Sequence, residues 1–363
     1  MRYALAAAGT GGHVYPALAV ARALTECGID TDQIVFFGGN RLEATAVPAA
    51  GYAFVEVDVR GLRRSLTPRN LALPVVVARA ARVIAGHVRR TGIGVMAAFG
   101  GYVSVPAAWG AKRGGAAVVV HEQNAVPGLA NRMIASRADT TLVAFDAAAK
   151  RLPGAEVVGN PLRTELEHFD RHQLRPEARR RYGLDGIRPV LGVLGGSLGA
   201  GILNETVATA IERDDIEVDL VHLTGRIHAE AMSVRAADDP HWTVVPFEDR
   251  MELFYAACDL VVSRAGALAV SELAATGTPA IVVPYAAGTA GHQAANAGDL
   301  AAAGGCLIVP ESDVTSLADT LVSLLDDPGL LTSMGTHARA VGRPDAAIRV
   351  ARAILEVHGG ASS

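Results

Sequence analysis

The sequence predicts an α/β protein of two doubly wound domains, each built on a parallel sheet. Its length of 363 residues exceeds the usual size of one domain and suits two. Short apolar strands alternate with helical patterns, which is typical of βαβ units. An opening of strand, glycine-rich turn and helix occurs twice, once in each half of the chain.

The first domain is predicted over residues 1–161. A strand at Tyr3–Ala8 leads through Gly9-Thr10-Gly11-Gly12-His13 into a helix with Pro16 in its first turn, a position that proline favours. A last helix over about 344–359 is expected to pack back on this domain. Further strands are expected at Ile34–Phe37, Phe54–Val57, Val95–Phe99, Ala117–His121 and Thr140–Ala144.

The second domain is predicted over residues 162–343, after a linker around Asn160-Pro161 that continues through the charged stretch 165–181. It opens with a strand at Pro189–Leu194, a glycine turn and a helix at Ala200–Ile211. Because ligands bind at the carboxyl ends of the strands in such sheets, we expect both glycine turns to line a cleft between the domains. Further strands are expected at Val218–Leu223, Thr243–Pro246, Leu260–Ser263, Ala280–Val283 and Cys306–Ile308.

The composition excludes several classes of protein. With 50% hydrophobic and 19% charged residues, the chain is not a disordered one. The three cysteines (Cys27, Cys258 and Cys306) are too few and too far apart for a disulfide framework or a zinc site, which fits a reducing compartment. No apolar run approaches the roughly 18 residues of a membrane span.

The net charge of −4 conceals an asymmetry between the two halves. Residues 1–160 carry 17 Lys and Arg against 10 Asp and Glu, and the remainder carries 16 against 27. Ten basic residues and no acidic one lie between Asp58 and Glu122. Such a segment indicates an anionic partner, or else a solvated basic face. Together with the apolar stretch Leu71–Ala78 and with Trp109, it predicts contact with the anionic cytoplasmic surface of a membrane; no nucleic-acid partner is expected.

The two glycine turns are typical of phosphate binding at a helix N-terminus, although glycine also serves close packing. Neither turn has the lysine of a P-loop. The strand after the first turn ends Phe37-Gly38-Gly39-Asn40, without the carboxylate that would hold a dinucleotide ribose, which disfavours nicotinamide chemistry. The pattern therefore favours a nucleotide-type ligand that is not a dinucleotide.

Polar side chains stand at the predicted carboxyl edges. His13 follows the first turn and is either a general base or a residue that caps the helix. His121-Glu122-Gln123-Asn124 ends a buried strand, where packing alone does not explain four polar residues. Glu272, near the start of a helix, suits a ribose diol or simply the helix dipole. Asp30-Thr31-Asp32 has a spacing that some sugar transferases use for a metal, but it precedes a strand and is interpreted as a turn.

Seven motifs occur in the order of a known family. They are Gly9–His13 with Pro16, Gly100–Ser104, His121–Asn124, Gly159–Arg163, Gly195–Ser197, Arg264–Glu272 and His292-Gln293. Over essentially its whole length the chain resembles the bacterial undecaprenyldiphospho-muramoylpentapeptide β-N-acetylglucosaminyltransferases. The resemblance implies a GT-B fold, with two Rossmann-like domains facing each other across a cleft. It also implies transfer from UDP-N-acetylglucosamine to the muramoyl 4-hydroxyl of lipid I with inversion and no obligatory metal cofactor, by a peripheral enzyme on the cytoplasmic side of the cell membrane.

The resemblance also implies roles for individual residues. His13 would be the catalytic base, Glu272 would bind the uridine ribose, and Ser197 the diphosphate. Arg163 and the backbone at Glu248 would flank the uracil. The remaining donor and acceptor contacts would come from Thr10, Gly11, Gly12, Asn124, Ala267, Leu268, Ala269, Val270, Ser271 and Gln293. Partners among cell-wall and division proteins are left open.

The chain departs from the family pattern at three places. Leu198 stands where the family has Gln, Ala265 and Ala269 stand where Ser and Thr are frequent, and the loop 286–291 has no charge. We expect these differences to affect the selectivity for the donor sugar and the catalytic rate, and not the fold or the class of ligand. The alternatives are a GT-B transferase with another lipid or natural-product acceptor, a nucleotide-sugar epimerase of similar architecture, and a non-catalytic scaffold that binds the nucleotide sugar.

Overall fold

A computed structural model describes residues 2–58, 73–196, 200–213, 216–285 and 292–360. The chain divides into two compact units. The first comprises residues 1–163 and 344–363, and the second residues 164–343. The sequence placed the boundaries at residues 161 and 343. Within the described ranges, no helix is both long and apolar enough to cross a membrane.

The first unit contains a parallel sheet with the order β3-β2-β1-β4-β5-β6-β7 in its described part. The strands are β1 (Arg2–Ala6), β2 (Ile34–Gly38), β3 (Ala53–Glu56), β4 (Ile93–Ala98), β5 (Ala117–Glu122), β6 (Thr140–Val143) and β7 (Glu156–Val157). The helices are α1 (Gly11–Glu26), α2 (Leu42–Ala49), α3 (Leu73–Thr91), α4 (Ser104–Gly114), α5 (Leu129–Ala135) and α6 (Asp146–Ala149). The sequence did not predict β7, which has two residues.

Helices cover both faces of this sheet, and successive side chains of β1 point alternately into the core on one face and the core on the other. Ala4 and Ala6 point into a core shared with α3 and α4. Tyr3 and Leu5 point into the opposite core, which is shared with α1 and with the C-terminal helix α16 (Ala346–Gly360). Helix α16 buries a stripe of apolar side chains there (Ala347, Val350, Ala351 and Ile354). Helix α16 thus completes the core of the first unit.

The second unit contains a parallel sheet with the order β10-β9-β8-β11-β12-β13 in its described part. Its strands are β8 (Val190–Leu194), β9 (Asp219–Leu223), β10 (Trp242–Val245), β11 (Leu260–Ser263), β12 (Ala280–Val282) and β13 (Cys306–Ile308). Its helices are α7 (Thr164–Glu167), α8 (Arg171–Tyr182), α9 (Gly201–Ile211), α10 (Ala229–Arg235), α11 (Met251–Ala257), α12 (Ala267–Thr276), α13 (His292–Ala302), α14 (Leu317–Leu325) and α15 (Pro328–Val341). In both units the first strand lies inside the sheet, as the doubly wound prediction requires, and that fold class is confirmed.

The prediction of a linker through residues 165–181 is wrong, because most of this stretch forms helix α8. The Asp170 carboxylate accepts hydrogen bonds from the first turn, at 2.9 Å from His172 N, and Gly183 ends the helix at φ 71°. The Arg171 guanidinium donates to Tyr255 O and to Thr278 Oγ1, both at 2.7 Å. Its burial lowers the pKa of Arg171 to about 10. Asp170 and Gly183 are typical of the start and the end of a helix, but the many charged residues between them suggested a linker.

Two glycine-containing turns of the first unit pack tightly against each other. Gly101, in the turn after β4, has φ +80°, and a Cβ built on it would lie 2.3 Å from the carbonyl oxygen of Ala8. Gly115 also has a positive φ, at +91°, but no atom lies within 4 Å of its Cβ position. The turn after β4 is therefore pressed against the segment that carries the first glycine turn.

We expect Gly101→Ala to destabilise the first unit more than Gly115→Ala. Both substitutions place a side chain in the left-handed region, at a cost of about 1–2 kcal/mol. The clash at Gly101 adds about 1–3 kcal/mol to this cost. The two tryptophans lie in different units, so unfolding in urea can be followed by Trp109 fluorescence in a Trp242→Phe background. Equal losses in the two variants would contradict the close packing.

Candidate active site

The turn between β1 and α1 is held by a buried carboxylate. Glu43 is 1% exposed and accepts hydrogen bonds from Gly9 N and Gly39 N, both at 3.0 Å, and from the Tyr102 hydroxyl at 3.2 Å. Gly39 has no room for a Cβ, which would lie 1.8 Å from the Tyr102 hydroxyl oxygen. The carboxylate thus fastens the turns after two neighbouring strands. No motif of the sequence pointed to Glu43, because two of its three partners, Gly9 and Tyr102, are 34 and 59 residues away.

The segment Thr10–Gly12, predicted as a substrate contact, forms the N-terminus of α1. Thr10 is exposed and has an extended backbone, and the carbonyl oxygen of Thr10 accepts from His13 N at 3.1 Å. Within the described part of the chain, the Thr10 side chain does not cap the helix with a hydrogen bond. Backbone N–H groups at such a helix start can bind an anion.

His13 stands in the first turn of α1 and is oriented by the side chain of Gln123, the residue that follows β5. Its Nδ1 lies 3.1 Å from Oε1 of Gln123. The ring also lies close to Gly100, where a Cβ would approach the His13 Cε1 to 2.9 Å. The imidazole is therefore held on one side by an amide and on another by a glycine that leaves room for the ring.

The four polar residues at the end of β5 form a hydrogen-bonded network, in which Asn124 is partly exposed and the other three are buried. His121 Nε2 lies 2.9 Å from Gly159 O, and His121 Nδ1 lies 3.0 Å from Gln123 Nε2. Glu122 Oε2 accepts from Gly128 N and from Asn131 Nδ2, both at 2.9 Å. The sequence singled out this tetrad because of its polarity, but it assigned a substrate role to Asn124 alone. The structure shows what the other three side chains do.

Asn124 is placed by the same carboxylate. Its backbone N and its Nδ2 donate to Glu122 Oε1 at 2.9 and 3.1 Å. Asn160 Nδ2 donates to Gln123 O at 3.1 Å, which ties the β5 edge to the segment before Arg163. Arg163 lies with its guanidinium carbon 4.7 Å from the centre of the Tyr15 ring. The predicted site residues of the first unit are thus gathered around the ends of β1 and β5.

In the second unit, part of the predicted donor site lies outside the described residues, namely Ser197, Leu198 and the loop 286–291. The described part of the glycine turn follows β8, with Gly196 at φ +85°. The buried carboxyl end of β11 leads through Gly266 into α12, whose first turns contain the predicted segment Ala267–Glu272. The described parts of the glycine turn and of the segment Ala267–Glu272 therefore follow strands at the carboxyl edge of the second sheet.

Glu272 is positioned by a tyrosine that the sequence analysis did not identify. The hydroxyl of Tyr255, a fully buried residue of α11, donates to Glu272 Oε2 at 2.8 Å. This bond holds one carboxylate oxygen from within the core, in the second turn of α12. The partly exposed Glu272 is therefore a preoriented acceptor.

The side chain of Glu248 has a structural role. It is 5% exposed and binds Arg181 in a bidentate ion pair with both distances at 2.9 Å. The Tyr182 hydroxyl donates to it at 2.7 Å and Arg250 N at 2.8 Å. These contacts hold the pKa of Glu248 below its usual value even though burial alone would raise it. The sequence predicted that the backbone at Glu248, and not its side chain, contacts the uracil. The buried carboxylate holds this backbone in place by accepting from Arg250 N.

Two further donor-site residues are anchored to the backbone. Gln293 Oε1 accepts from Tyr285 N at 2.8 Å, and Asn296 Nδ2 donates to Ala265 O at 3.1 Å. Ala265 is completely buried, whereas Ala269 is partly exposed on α12. The side chain of Ala269 therefore reaches the surface of α12, whereas that of Ala265 does not.

The Asp30-Thr31-Asp32 segment is a short exposed turn, as predicted. Thr31–Gln33 forms one turn of 3-10 helix before β2, and Asp30 N donates to Gln33 Oε1 at 3.2 Å. Among the described residues, no group of three or more His, Cys, Asp and Glu side chains is arranged to hold a metal ion.

The two doubly wound units, with glycine turns and oriented polar side chains at the carboxyl edges of their sheets, have the architecture of GT-B glycosyltransferases. Family models place the chain within that class. The glycosyltransferase family 28 N-terminal domain matches residues 3–143, and the family 28 C-terminal domain matches residues 190–350. The chain belongs to glycosyltransferase family 28, and the predicted family and enzyme class are confirmed.

Individual relatives agree with this assignment. A UDP-N-acetylglucosamine–N-acetylmuramyl-(pentapeptide) pyrophosphoryl-undecaprenol N-acetylglucosamine transferase from Clavibacter sepedonicus is 42% identical over 96% of this chain and 94% of its own. A crystal structure of MurG from Acinetobacter baumannii is 30% identical, with a TM-score of 0.79 over 98% of this chain and 100% of that one. A UDP-N-acetylglucosamine 2-epimerase structure, at 15% identity and a TM-score of 0.67 over 99% of this chain and 97% of that one, shares the fold alone.

The buried His121 predicts a pH-dependent stability of the first unit. Burial lowers the pKa of His121 from 6.5 to about 4, so the unfolded chain binds a proton that the folded unit does not. The free energy of unfolding should therefore fall as the pH drops from about 6.5 towards 4, by about 1.4 kcal/mol per pH unit from this residue. Urea unfolding followed by Trp109 fluorescence measures it. His121→Phe should show a shallower pH dependence by about one proton, and an unchanged slope would refute the assignment.

Proposed function

We propose that this chain transfers N-acetylglucosamine from UDP-N-acetylglucosamine to the 4-hydroxyl of the muramoyl residue of lipid I, which forms lipid II in peptidoglycan synthesis. The relatives at about 40% identity carry this activity in their names and align over nearly the whole chain. The observation that carries the proposal is the oriented His13 at the carboxyl edge of the first sheet, beside the N-terminus of α1.

In the proposed reaction, His13 is the catalytic base. Its Nε2 takes the proton of the acceptor 4-hydroxyl while the hydroxyl oxygen forms a bond to C1 of N-acetylglucosamine. The bond between C1 and the diphosphate oxygen breaks, UDP leaves with the electron pair, and the configuration at C1 inverts. A histidine suits this role because its neutral form accepts a proton near neutral pH.

The donor is assigned to the second unit. Glu272, preoriented by Tyr255, accepts hydrogen bonds from the ribose hydroxyls. The diphosphate lies at the glycine turn after β8 and at Ser197, with α12 and Gln293 beside the sugar and the backbone at Glu248 beside the uracil. Backbone N–H groups and helix N-termini stabilise the charge that develops on the leaving group, so the proposed mechanism includes no metal ion.

The acceptor is lipid-linked, and the first unit has a surface that suits an anionic membrane. Helix α3 exposes Val75 (71% exposed) and Val83 (65% exposed) beside the exposed Arg79 and Arg82. A groove lined by α3, α4 and α5 contains Trp109, with basic side chains on its rim (Arg82, Lys112, Arg113 and Arg137). We propose that α3 and this groove form the membrane-facing surface on the cytoplasmic side.

One basic residue of this surface is neutralised by the protein itself. Lys112 Nζ lies 2.6 Å from Asp139 Oδ2, and Val118 N donates to the same oxygen. These contacts lower the pKa of Asp139. In the part of the acid-free segment that the structure describes, the arginines of α3 and Arg113 of α4 therefore supply the attraction to anionic lipid. The other basic residues of that segment lie within 59–72, outside the described residues.

Turnover with both substrates tests the proposed activity. The purified chain with UDP-N-acetylglucosamine and a short-chain lipid I analogue should release UDP, and His13→Ala should lower kcat by about 10²–10⁴-fold with an unchanged affinity for UDP. Glu272→Gln is the control on the donor side, because it should raise the donor KM.

The alternatives give different results in the same assay. Donor binding without UDP release would favour a scaffold. UDP release with unrelated acceptors but not with lipid I would favour another transferase. Conversion of the nucleotide sugar without an acceptor would favour an epimerase.

Vesicle binding tests the membrane-facing surface. Arg79→Glu combined with Arg82→Glu should weaken binding to anionic vesicles by at least about tenfold, since each cation near the surface contributes about 1 kcal/mol. The matched control, Arg22→Glu combined with Arg352→Glu, changes the same charge on α1 and α16, which pack on the opposite face of the sheet. The proposed surface would be refuted if vesicle affinity did not depend on anionic lipid and salt. Equal losses of affinity in the two double variants would also refute it.

A further inference from the structure

A chain of three hydrogen bonds runs through the first unit from the carbonyl oxygen of Gly159 to the ring of His13. It begins where His121 Nε2 lies 2.9 Å from Gly159 O. A carbonyl oxygen only accepts hydrogen bonds, so the Nε2 of His121 carries a hydrogen. His121 is 1% exposed, and its burial lowers its pKa to about 4, so the ring is neutral near pH 7 and its Nδ1 bears a lone pair.

The second link fixes the direction of the Gln123 amide. Gln123 Nε2 lies 3.0 Å from His121 Nδ1 and 3.1 Å from His121 O. Both partners are acceptors, so the NH2 group of the amide must face them. The flipped amide would place its oxygen against a lone pair and a carbonyl oxygen. Gln123 is 1% exposed, so water does not compete for these positions.

The third link sets the state of His13. With the NH2 group committed to His121, Gln123 Oε1 faces His13 Nδ1 at 3.1 Å. An amide oxygen accepts, so Nδ1 of the neutral His13 carries the hydrogen and Nε2 keeps its lone pair. A histidine side chain in water favours the other tautomer, whose Nε2 already holds a hydrogen and cannot accept one.

We propose that Gln123 is a positioning residue that holds His13 in the tautomer with a free Nε2 lone pair, and that His121 and Gly159 O give Gln123 its orientation. The proposal rests on the function proposed above, in which His13 Nε2 takes the acceptor proton. It goes further by assigning a role to residues that do not touch the substrates. Gly100 contributes by leaving space for the ring, since a Cβ there would lie 3.0 Å from His13 Nδ1.

The kinetic test compares two substitutions at the same position. Gln123→Leu keeps the approximate volume but offers no acceptor to His13, and should lower kcat by about 10–100-fold with the donor KM unchanged. Gln123→Glu keeps an acceptor for the Nδ1 hydrogen, and its charge draws a proton onto His121 Nδ1. This variant should retain turnover within about tenfold of wild type, with the acidic limb of the pH–rate profile shifted up by about one pH unit.

A purely structural role would not produce this difference. If Gln123→Leu turns over within about threefold of wild type, or if Gln123→Glu is as impaired as Gln123→Leu at every pH, the positioning role is refuted. Circular dichroism and UDP affinity establish that each variant is folded and binds the donor.

A measurement that needs no turnover separates this inference from the proposed function. Nitrogen-15 spectra of histidine-labelled protein should show His121 as the Nε2–H tautomer and neutral His13 as the Nδ1–H tautomer. In Gln123→Leu, neutral His13 should move to the Nε2–H tautomer. An Nε2–H tautomer for neutral His13 in the wild type would overturn the inference whether or not the chain is active. Absence of transfer to lipid I with the expected tautomers would refute the proposed function alone.

Discussion

The candidate site of the first unit depends on two buried carboxylates whose oxygens accept hydrogen bonds, chiefly from N–H groups. Glu43 and Glu122 are each 1% exposed, and a buried carboxylate without partners would cost several kcal/mol. Each meets this constraint by accepting from backbone N–H groups of the loops that follow the strands. Glu43 binds the turns after β1 and β2, and Glu122 binds the loop after β5. The need to satisfy these charges therefore fixes the loops that carry the functional side chains.

The amide of Gln123 and the imidazoles of His121 and His13 determine which way the hydrogen bonds of this site point. In a water-poor interior, an unmet donor or acceptor of a histidine or glutamine costs free energy, so the arrangement that pairs each donor with an acceptor is favoured. At β5 this requirement leaves one consistent arrangement of hydrogens, which ends at His13. In the second unit the same logic holds in simpler form, since the buried Tyr255 has one hydroxyl hydrogen and gives it to Glu272. Both units thus orient a partly exposed group from within the core.

Much of the fold could be predicted from the sequence, because buried parallel strands are short apolar runs and the glycine turns mark where they end. Leu260–Ser263 and Cys306–Ile308 were predicted to the residue. Helix α8 was missed because its charged residues suggested a linker, although Asp170 and Gly183 signal its ends. The positions of His13, Asn124 and Glu272 followed from motifs. The roles of Glu43, Gln123 and Tyr255 did not, because each depends on a partner that is distant along the chain and becomes a neighbour only in the folded unit. Glu43 binds Gly9, 34 residues away, Gln123 binds His13, 110 residues away, and Tyr255 binds Glu272, 17 residues away.

The pH dependence of kcat/KM for the lipid I analogue, compared between wild type and His13→Ala, tests the central claim most directly. The claim is that the buried network presents His13 Nε2 as the proton acceptor of the reaction. It predicts that the wild type loses activity on the acidic side with a single ionisation, and that this limb disappears in His13→Ala. An acidic limb that persists unchanged in His13→Ala would show that another group takes the proton and would contradict the account.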